Sequence, residues 1–206
     1  MMQAIIIFLA FAFIHSITVS KKMKTICAGF FGETFMRVFY RGTYNAVSFI
    51  TAGTAFYLIH QAPDRQIWTA PGWLQWIMHA IQLAGVVFGS LAFKHLDTGE
   101  FLGLRQIIRY WKRDEVAGNI EGLTRNELVT NGVYGIVRHP LYLAGIVIFT
   151  FNPLLTRNSL TVSVLADLYF LFGAFIEERR FSGVFGDQYQ EYRKRVPRLL
   201  PRILHR

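Results

Sequence analysis

Two groups of charged residues stand at the borders of apolar stretches. Arg138, His139 and Pro140 come directly before one such stretch, and Glu177 and Glu178 come directly after the next. If the two stretches are the helices of one hairpin, both groups lie at its open end. A guanidinium, an imidazole, two carboxylates and the N–H groups at a helix N-terminus are suited to a ligand that carries both signs of charge. The sequence therefore predicts a site for a zwitterionic, amino-acid-like ligand.

Each group also has a simpler interpretation. Arg138 and the Arg179-Arg180 pair could anchor helix ends among lipid headgroups, with their aliphatic stems in the apolar layer. Glu177 and Glu178 could form salt bridges to these same arginines. The predicted meeting of both groups at one depth favours a functional site over either interpretation taken alone.

The composition predicts a membrane protein. Of the 206 residues, 52% are hydrophobic, and there are 19 phenylalanines. Apolar stretches near the length of a membrane-crossing helix cover residues 2–19, 44–60, 73–93, 141–155 and 159–176, the fourth being visibly short. The fold class we expect is all-α: one integral-membrane domain over residues 1–206, with about five transmembrane helices and a tight hairpin of the last two.

The basic residues predict the orientation. Five lie in 20–43, seven in 94–140 and eight in 177–206, whereas 61–72 and 156–158 hold one each. Because Lys and Arg collect on the cytoplasmic side, the N-terminus is expected outside and the C-terminus in the cytoplasm. The cell membrane is the expected location if the chain is prokaryotic. The net charge of +9 then faces anionic lipids, and we expect no nucleic-acid partner.

Several polar residues fall inside the predicted spans: His15, Ser16, Gln75, His79, Gln82 and Asp167. Ionisable residues at such positions are candidates for function. For Gln75, Gln82 and the glycines of the nearby GxxxG pattern, helix packing is the favoured role. For His79 and Asp167, packing and the lining of an acceptor cavity both remain open.

Common soluble-enzyme motifs are missing from the sequence. There is no GxGxxG, no GxxxxGK[ST], no GxSxG and no HExxH, and the six histidines form no HxxxH or HxxHH cluster. The single cysteine, Cys27, allows no internal disulfide. We expect no metal site, and any cofactor must be held in another way.

Two segments near the candidate residues resemble a known superfamily. "ELVTNGVYGIVRHPLYLAG" and the later "EERRFSGVFGDQYQEYRKRVPRLLP" are similar to the ordered motifs of the integral-membrane isoprenylcysteine carboxyl methyltransferases and phospholipid methyltransferases. "FIHS" at 13–16 and "FLGLRQ" at 101–106 resemble its NnrU-like branch, which includes nurim-like proteins and methanethiol S-methyltransferases. With these, the resemblance covers most of the chain.

The resemblance implies a cytoplasmic pocket for S-adenosylmethionine and a path by which an acceptor enters from the membrane. By motif matching, the cofactor pocket would be lined by Tyr134, Arg138, His139, Tyr142, Glu177 and Glu178. Arg105 and Arg180 are the candidate catalytic residues near the acceptor, where a cation would lower the pKa of a thiol.

The implied activity is methyl transfer from S-adenosylmethionine to an apolar or membrane-partitioning acceptor, a thiol or an isoprenylcysteine-like group. The implied partners are membrane lipids and a lipophilic or small thiol acceptor. Two alternatives stay open at this point. One is an NADPH-dependent membrane reductase of similar architecture, and the other is a non-catalytic membrane scaffold.

Overall fold

A computed structural model describes residues 1–114 and 128–201, and the fold within them is mainly helical. The helices are α1 (Met2–Val19), α2 (Lys21–Val38), α3 (Tyr40–Gln61), α4 (Gly72–Phe93), α5 (Thr98–Leu102), α6 (Leu104–Lys112), α7 (Pro140–Thr150) and α8 (Arg157–Arg195). A short 3-10 turn covers Gly132–Gly135, and two strands, β1 (Gln66–Thr69) and β2 (Leu154–Thr156), complete the fold.

Helices fill four of the five predicted spans and the larger part of the remaining one, but in the described part of the chain only three helices are long and apolar enough to cross a membrane. These are α1, α4 and α8. The helix α3 contains the predicted span 44–60 and has 22 residues, but its first turns carry many polar side chains. The helix α7 has 11 residues, so the structure supports an all-α membrane protein with three clear spans rather than the predicted count of five.

The predicted fourth span, 141–155, is too long. The helix α7 ends at Thr150, and residues 154–156 form strand β2 instead. This strand pairs antiparallel with β1, with Trp68 opposite Leu155. A small sheet therefore joins the predicted outer connection 61–72 to the end of the predicted span 141–155, and the sequence analysis missed it because each strand has only three or four residues.

Glycines bring α7 close to α4. A Cβ atom on Gly85 would lie 2.9 Å from Val147, and one on Gly89 would lie 2.9 Å from Ala144. Gln82, one turn before Gly85, donates a hydrogen bond of 2.9 Å to a main-chain carbonyl of α7. The GxxxG pattern and Gln82 therefore have the packing role that we expected.

In the hairpin of α7 and α8, a glycine on each helix faces a large aromatic side chain on the other. Gly145 on α7 leaves room for the Phe170 ring, because a Cβ there would come within 2.6 Å of it. Gly173 on α8 faces the Tyr142 hydroxyl, which would lie 3.6 Å from an added Cβ. These contacts fix the depth at which Tyr142 meets α8.

The helix α8 has 39 residues, about 58 Å at 1.5 Å per residue, which is longer than the apolar layer of about 30 Å. Its apolar part is the predicted span 159–176. The helix α8 is interrupted at Gly186, which has φ 51° and ψ −126°, and it resumes after this residue. The other long polar segment, 20–43, contains an unpredicted helix, α2, which is interrupted at Gly32 with φ 78°.

Candidate functional site

The segment after α8 lies alongside the start of α7. The main-chain N–H groups of Arg138 and His139 donate to the carbonyls of Pro197 and Arg198 at 2.9 and 3.2 Å. Pro140 is the first residue of α7 and lacks an N–H group, which suits that position. This backbone pairing brings residues 138–139 next to the tail that follows the C-terminal end of α8.

Glu178 lies at the centre of the cluster. Its Oε1 accepts hydrogen bonds from Nη2 and Nε of Arg138 at 2.6 and 3.0 Å, and its Oε2 accepts one from Nη2 of Arg198 at 2.6 Å. Only 3% of Glu178 is exposed. Glu178 follows the apolar part of α8. Burial raises its pKa, but the hydrogen bonds from Arg198 and Arg138 outweigh burial and bring the pKa to about 2. The carboxylate is thus a fixed negative charge.

Arg138 has internal partners for its whole guanidinium group. Besides Glu178, it donates from Nη1 to the carbonyls of Val196 at 2.5 Å and Arg193 at 3.2 Å. Its side chain is 8% exposed. The structure therefore uses Arg138 to fasten the tail to α7 and α8, and a direct contact with a ligand carboxylate would have to compete with these bonds.

His139 lies between the two glutamates. Its Nδ1 is 3.3 Å from Oε2 of Glu177, and its Nε2 is 3.3 Å from Oε1 of Glu178. Only the doubly protonated ring can donate to both carboxylates. The residue is 4% exposed. The predicted meeting of the basic group before α7 and the acidic pair on α8 is thus present as direct contacts.

Glu177 is the more accessible of the two glutamates, with 29% of its side chain exposed. The Tyr142 hydroxyl lies near Glu177, and the Tyr142 ring stacks on the His139 ring with centroids 5.5 Å apart. Arg180 Nη2 lies 3.8 Å from Oε1 of Glu177. Glu177 therefore stands at the edge of the cluster, where it can accept a hydrogen bond from a ligand.

Tyr134 approaches the same edge from the 3-10 turn. Its carbonyl accepts a hydrogen bond of 2.6 Å from the Tyr192 hydroxyl. Burial raises the pKa of the Tyr134 hydroxyl to about 12, and the nearby charge of Glu177 adds to this effect. Tyr134 is therefore a neutral hydrogen-bond donor close to Glu177.

The last turns of α8 form an aromatic cluster next to the charged groups around Glu178. Tyr189, Tyr192 and Val196 are buried together, and Phe181 and Phe185 pack against them. The Tyr189 hydroxyl is buried without a hydrogen-bond partner, and Arg198, which the sequence analysis did not single out, has an unpartnered buried Nε. The sequence signal that could have identified these residues is the YxxY spacing of Tyr189 and Tyr192, followed by VPR at 196–198.

The two candidate catalytic arginines lie in different surroundings. Arg180 adjoins Glu177, as described above. Arg105 is on α6 and forms a 2.5 Å ion pair with Asp97, and 55% of its side chain is exposed. No contact between Arg105 and the glutamate pair is seen among the described residues.

Arg41, on α3, is a cation that the sequence analysis missed. It donates from Nε to the carbonyl of Phe101 at 2.6 Å and lies over the Phe101 ring. Burial lowers the pKa of Arg41, and the charge of Arg180 adds to this effect. Its position in the basic segment 20–43 gave no sign of this arrangement.

His79 and Asp167 lie apart from the cluster. The His79 ring is exposed and its Nδ1 is 3.0 Å from Oε1 of Gln82, while Oδ2 of Asp167 accepts a hydrogen bond of 2.8 Å from Thr150. Asp167 precedes Glu177 by ten residues, or about 15 Å along α8. Both residues remain candidates for packing or for an acceptor cavity.

Comparison with known proteins gives one family and several relatives. A family model described as NnrU protein matches residues 3–198. The chain is similar to methanethiol S-methyltransferase 2 of Bradyrhizobium diazoefficiens, with 29% identity over 81% of this chain and 61% of that protein. It is also similar to the methanethiol S-methyltransferase of Mycobacterium tuberculosis, with 30% identity over 69% of this chain and 52% of that protein.

A more distant likeness reaches the protein-S-isoprenylcysteine O-methyltransferase of Schizosaccharomyces pombe, with 35% identity over 57% of this chain and 51% of that protein. The chain thus spans about three-fifths of the first of these relatives and about half of the other two. No solved structure matches the chain.

Proposed function

Because the chain belongs to the NnrU family, we propose that it is a membrane-embedded methyltransferase that uses S-adenosylmethionine and methylates a thiol acceptor. The observation that carries the proposal is the cluster in which Glu177, Glu178 and His139 meet at the junction of α7 and α8. The relatives named above support a methyltransferase, and the contacts at this junction support a zwitterionic donor.

The residues of the cluster fit the amino-acid part of the donor. Glu177 has the exposed carboxylate that an ammonium group requires. The buried Tyr189 hydroxyl and the Arg198 Nε are donors without a partner, as a carboxylate would need. The donor itself supplies a methyl group that its sulfonium activates for transfer.

The roles of the two glutamates differ. Glu178 holds Arg138, His139 and Arg198 in place and is covered by them, so we assign it to positioning. Glu177 keeps its outer side accessible, so we assign it to direct binding of the donor, together with Tyr134 and the edge of Tyr142. Methyl transfer then depends chiefly on alignment of donor and acceptor, which is worth up to roughly 7 to 11 kcal/mol for well-oriented partners.

The acceptor side is proposed near Arg180 and Arg41. Guanidinium groups favour a negatively charged ligand, and a thiolate is the reactive form of a thiol. A thiol or an isoprenylcysteine-like group would reach this region from the lipid. We place the cluster at the cytoplasmic face, where the donor is soluble, with the N-terminus outside and, in a prokaryote, in the cell membrane.

Transfer of radiolabelled methyl from S-adenosylmethionine, with purified protein in detergent, tests the proposal. We expect label in the thioether formed from a short alkyl thiol, and none with an alkyl carboxylate or a phospholipid amine. Label in the carboxylate ester would mean that the acceptor is an isoprenylcysteine-like carboxylate and not a thiol. Oxidation of NADPH in place of methyl transfer would contradict the proposal and favour a reductase.

A further inference from the structure

A second polar cluster lies inside the predicted spans, where α1, α3 and α8 meet. His15 Nδ1 is 3.1 Å from Ser48 Oγ, and His15 Nε2 is 2.9 Å from the Tyr44 hydroxyl. Next to them, the hydroxyls of Ser16 and Tyr169 are 2.9 Å apart. We refer to His15, Tyr44 and Ser48 as the imidazole chain.

The imidazole chain has aromatic surroundings. The centroid of the His15 ring is 5.8 Å from that of Phe11, 5.4 Å from that of Tyr44 and 6.2 Å from that of Tyr169. The hydroxyls of Tyr44 and Ser48 give the ring direct partners for the exchange of a proton. Ionisable groups within a membrane span are costly, and they commonly mark a ligand or proton path.

The imidazole chain is close to the proposed donor site without being part of it. Ser16 touches Tyr169, which precedes Glu177 by eight residues, or about 12 Å along α8. Tyr44 follows Arg41 by three residues on α3, so the two side chains lie on the same face of that helix. Tyr44 therefore links the helix face that carries Arg41 to the His15 ring.

One tautomer of His15 allows a proton to move from Tyr44 to the ring. When Nδ1–H of His15 donates to Ser48 Oγ, the opposite nitrogen, Nε2, can accept from the Tyr44 hydroxyl. The Tyr44 oxygen then keeps lone pairs for a proton from a ligand. The Ser48 hydroxyl can accept the Nδ1–H hydrogen bond of this tautomer.

We propose that the imidazole chain removes the proton from the acceptor thiol, an inference that rests on the proposed thiol methylation. The S–H bond breaks as its proton passes to the Tyr44 oxygen, and Tyr44 gives its own proton to His15 Nε2. The products are a thiolate and an imidazolium. The thiolate electron pair then forms the bond to the donor's methyl carbon as the sulfonium–methyl bond breaks, and His15 releases its proton to water after the product leaves.

The other groups near the site that could act as a base already contact charged or polar partners. His139 lies between two carboxylates, Glu178 binds two arginines, and Glu177 meets His139 and the Tyr142 hydroxyl. Within residues 1–114 and 128–201, His15 is the imidazole near the site whose contacts are neutral hydroxyls. Arg41 and Arg180 would stabilise the thiolate, and the remaining titratable groups beside the chain are the phenols of Tyr40, Tyr142 and Tyr169.

The test compares two thiols of different acidity in the whole protein. His15→Gln and Tyr44→Phe should lower the rate with an alkyl thiol by about 100-fold or more, the usual contribution of a positioned base. With an aryl thiol, which is already largely ionised at neutral pH, the same variants should lose less than about tenfold, since no base is needed. Ser16→Ala, one position away on the same helix, should leave both rates near those of the wild type.

Two further measurements separate this inference from the proposed function. S-adenosylhomocysteine should bind His15→Gln as tightly as the wild type, because the donor site is untouched. In the wild-type complex with S-adenosylhomocysteine, ultraviolet difference absorbance should show the thiolate of a bound alkyl thiol, and His15→Gln should lose this band.

Equal losses with the two thiols, or a thiolate band that persists in His15→Gln, would overturn the role of the imidazole chain while leaving the proposed function intact. Failure of the wild type to methylate any thiol would overturn both.

Discussion

At the scale of single residues, the two adjacent glutamates have different surroundings. Glu178 is buried and is bonded to two arginines and a histidine, whereas Glu177 is partly exposed beside Tyr142 and Arg180. A buried carboxylate whose charge is matched by several cations is costly to alter, because each cation loses its partner. The same substitution should therefore have different effects at the two positions.

Glu178→Gln is expected to destabilise the fold. Replacing the charge leaves the buried Arg138 without its counter-ion, and breaking such a pair costs about 3 to 5 kcal/mol. The melting temperature in detergent should fall markedly for Glu178→Gln and by little for Glu177→Gln. Equal melting temperatures for the two variants would mean that the Arg138–Glu178–Arg198 contacts contribute little to stability.

The sequence predicted which residues meet but not the role that each of them has. The hairpin pattern was enough to predict that Arg138 and His139 lie beside Glu177 and Glu178. The start of the first helix of a hairpin and the end of the second lie together at its open end. It was not enough to show that Arg138 would bond to the tail, since that depends on the path of residues 196–198. Arg198 was missed for the same reason, and Arg41 was missed because no helical pattern linked α3 to α8.

At the scale of elements, α7 is the part on which the site depends most. It lies between α4 and α8, and on both sides the contact needs a glycine: Gly85 and Gly89 toward α4, and Gly145 toward Phe170. The short length of α7 follows from Pro153 and strand β2, which end the apolar stretch early. The sequence predicted the GxxxG contact, whereas the role of Gly145 depended on the rotation of α8 about its axis.

Gly145→Ala is expected to disturb this packing. The added methyl would come within 2.6 Å of the Phe170 ring, and overpacking of this kind typically costs about 1 to 3 kcal/mol. Because Tyr142 is one turn away, affinity for S-adenosylhomocysteine should fall as well. Gly183→Ala on α8 is the matched control: no atom lies within 4 Å of its added methyl, so stability should stay the same or rise. A stable Gly145→Ala variant would show that α8 can shift without loss.

At the scale of the whole molecule, the distribution of basic residues predicts one orientation. The basic segment 20–43 includes the start of α3 and the basic segment 177–206 includes the end of α8, while the small sheet of β1 and β2 lies at the other ends of these two helices. The count of spans was less predictable, because α3 mixes polar and apolar residues and α7 is short.

Labelling of single cysteines tests the orientation. In a Cys27→Ser background, Arg65→Cys next to β1 should react with a membrane-impermeant maleimide in intact cells. Glu191→Cys, at the other end of α8, should react only after the cells are opened, because we place that end in the cytoplasm. The reverse pattern would place the donor site outside the cell and would contradict the proposed use of a cytoplasmic cofactor.

The central claim is that Glu177, held beside His139 and Tyr142, binds a zwitterionic methyl donor. Calorimetric titration of S-adenosylhomocysteine into the wild type, Glu177→Gln and Glu191→Gln tests it most directly; Glu191 lies on the same helix, and 61% of its side chain is exposed. We predict saturable binding by the wild type and by Glu191→Gln, and a loss of about tenfold or more for Glu177→Gln, the size of one charge-assisted hydrogen bond. Equal binding by all three proteins, or no binding by the wild type, would contradict the account.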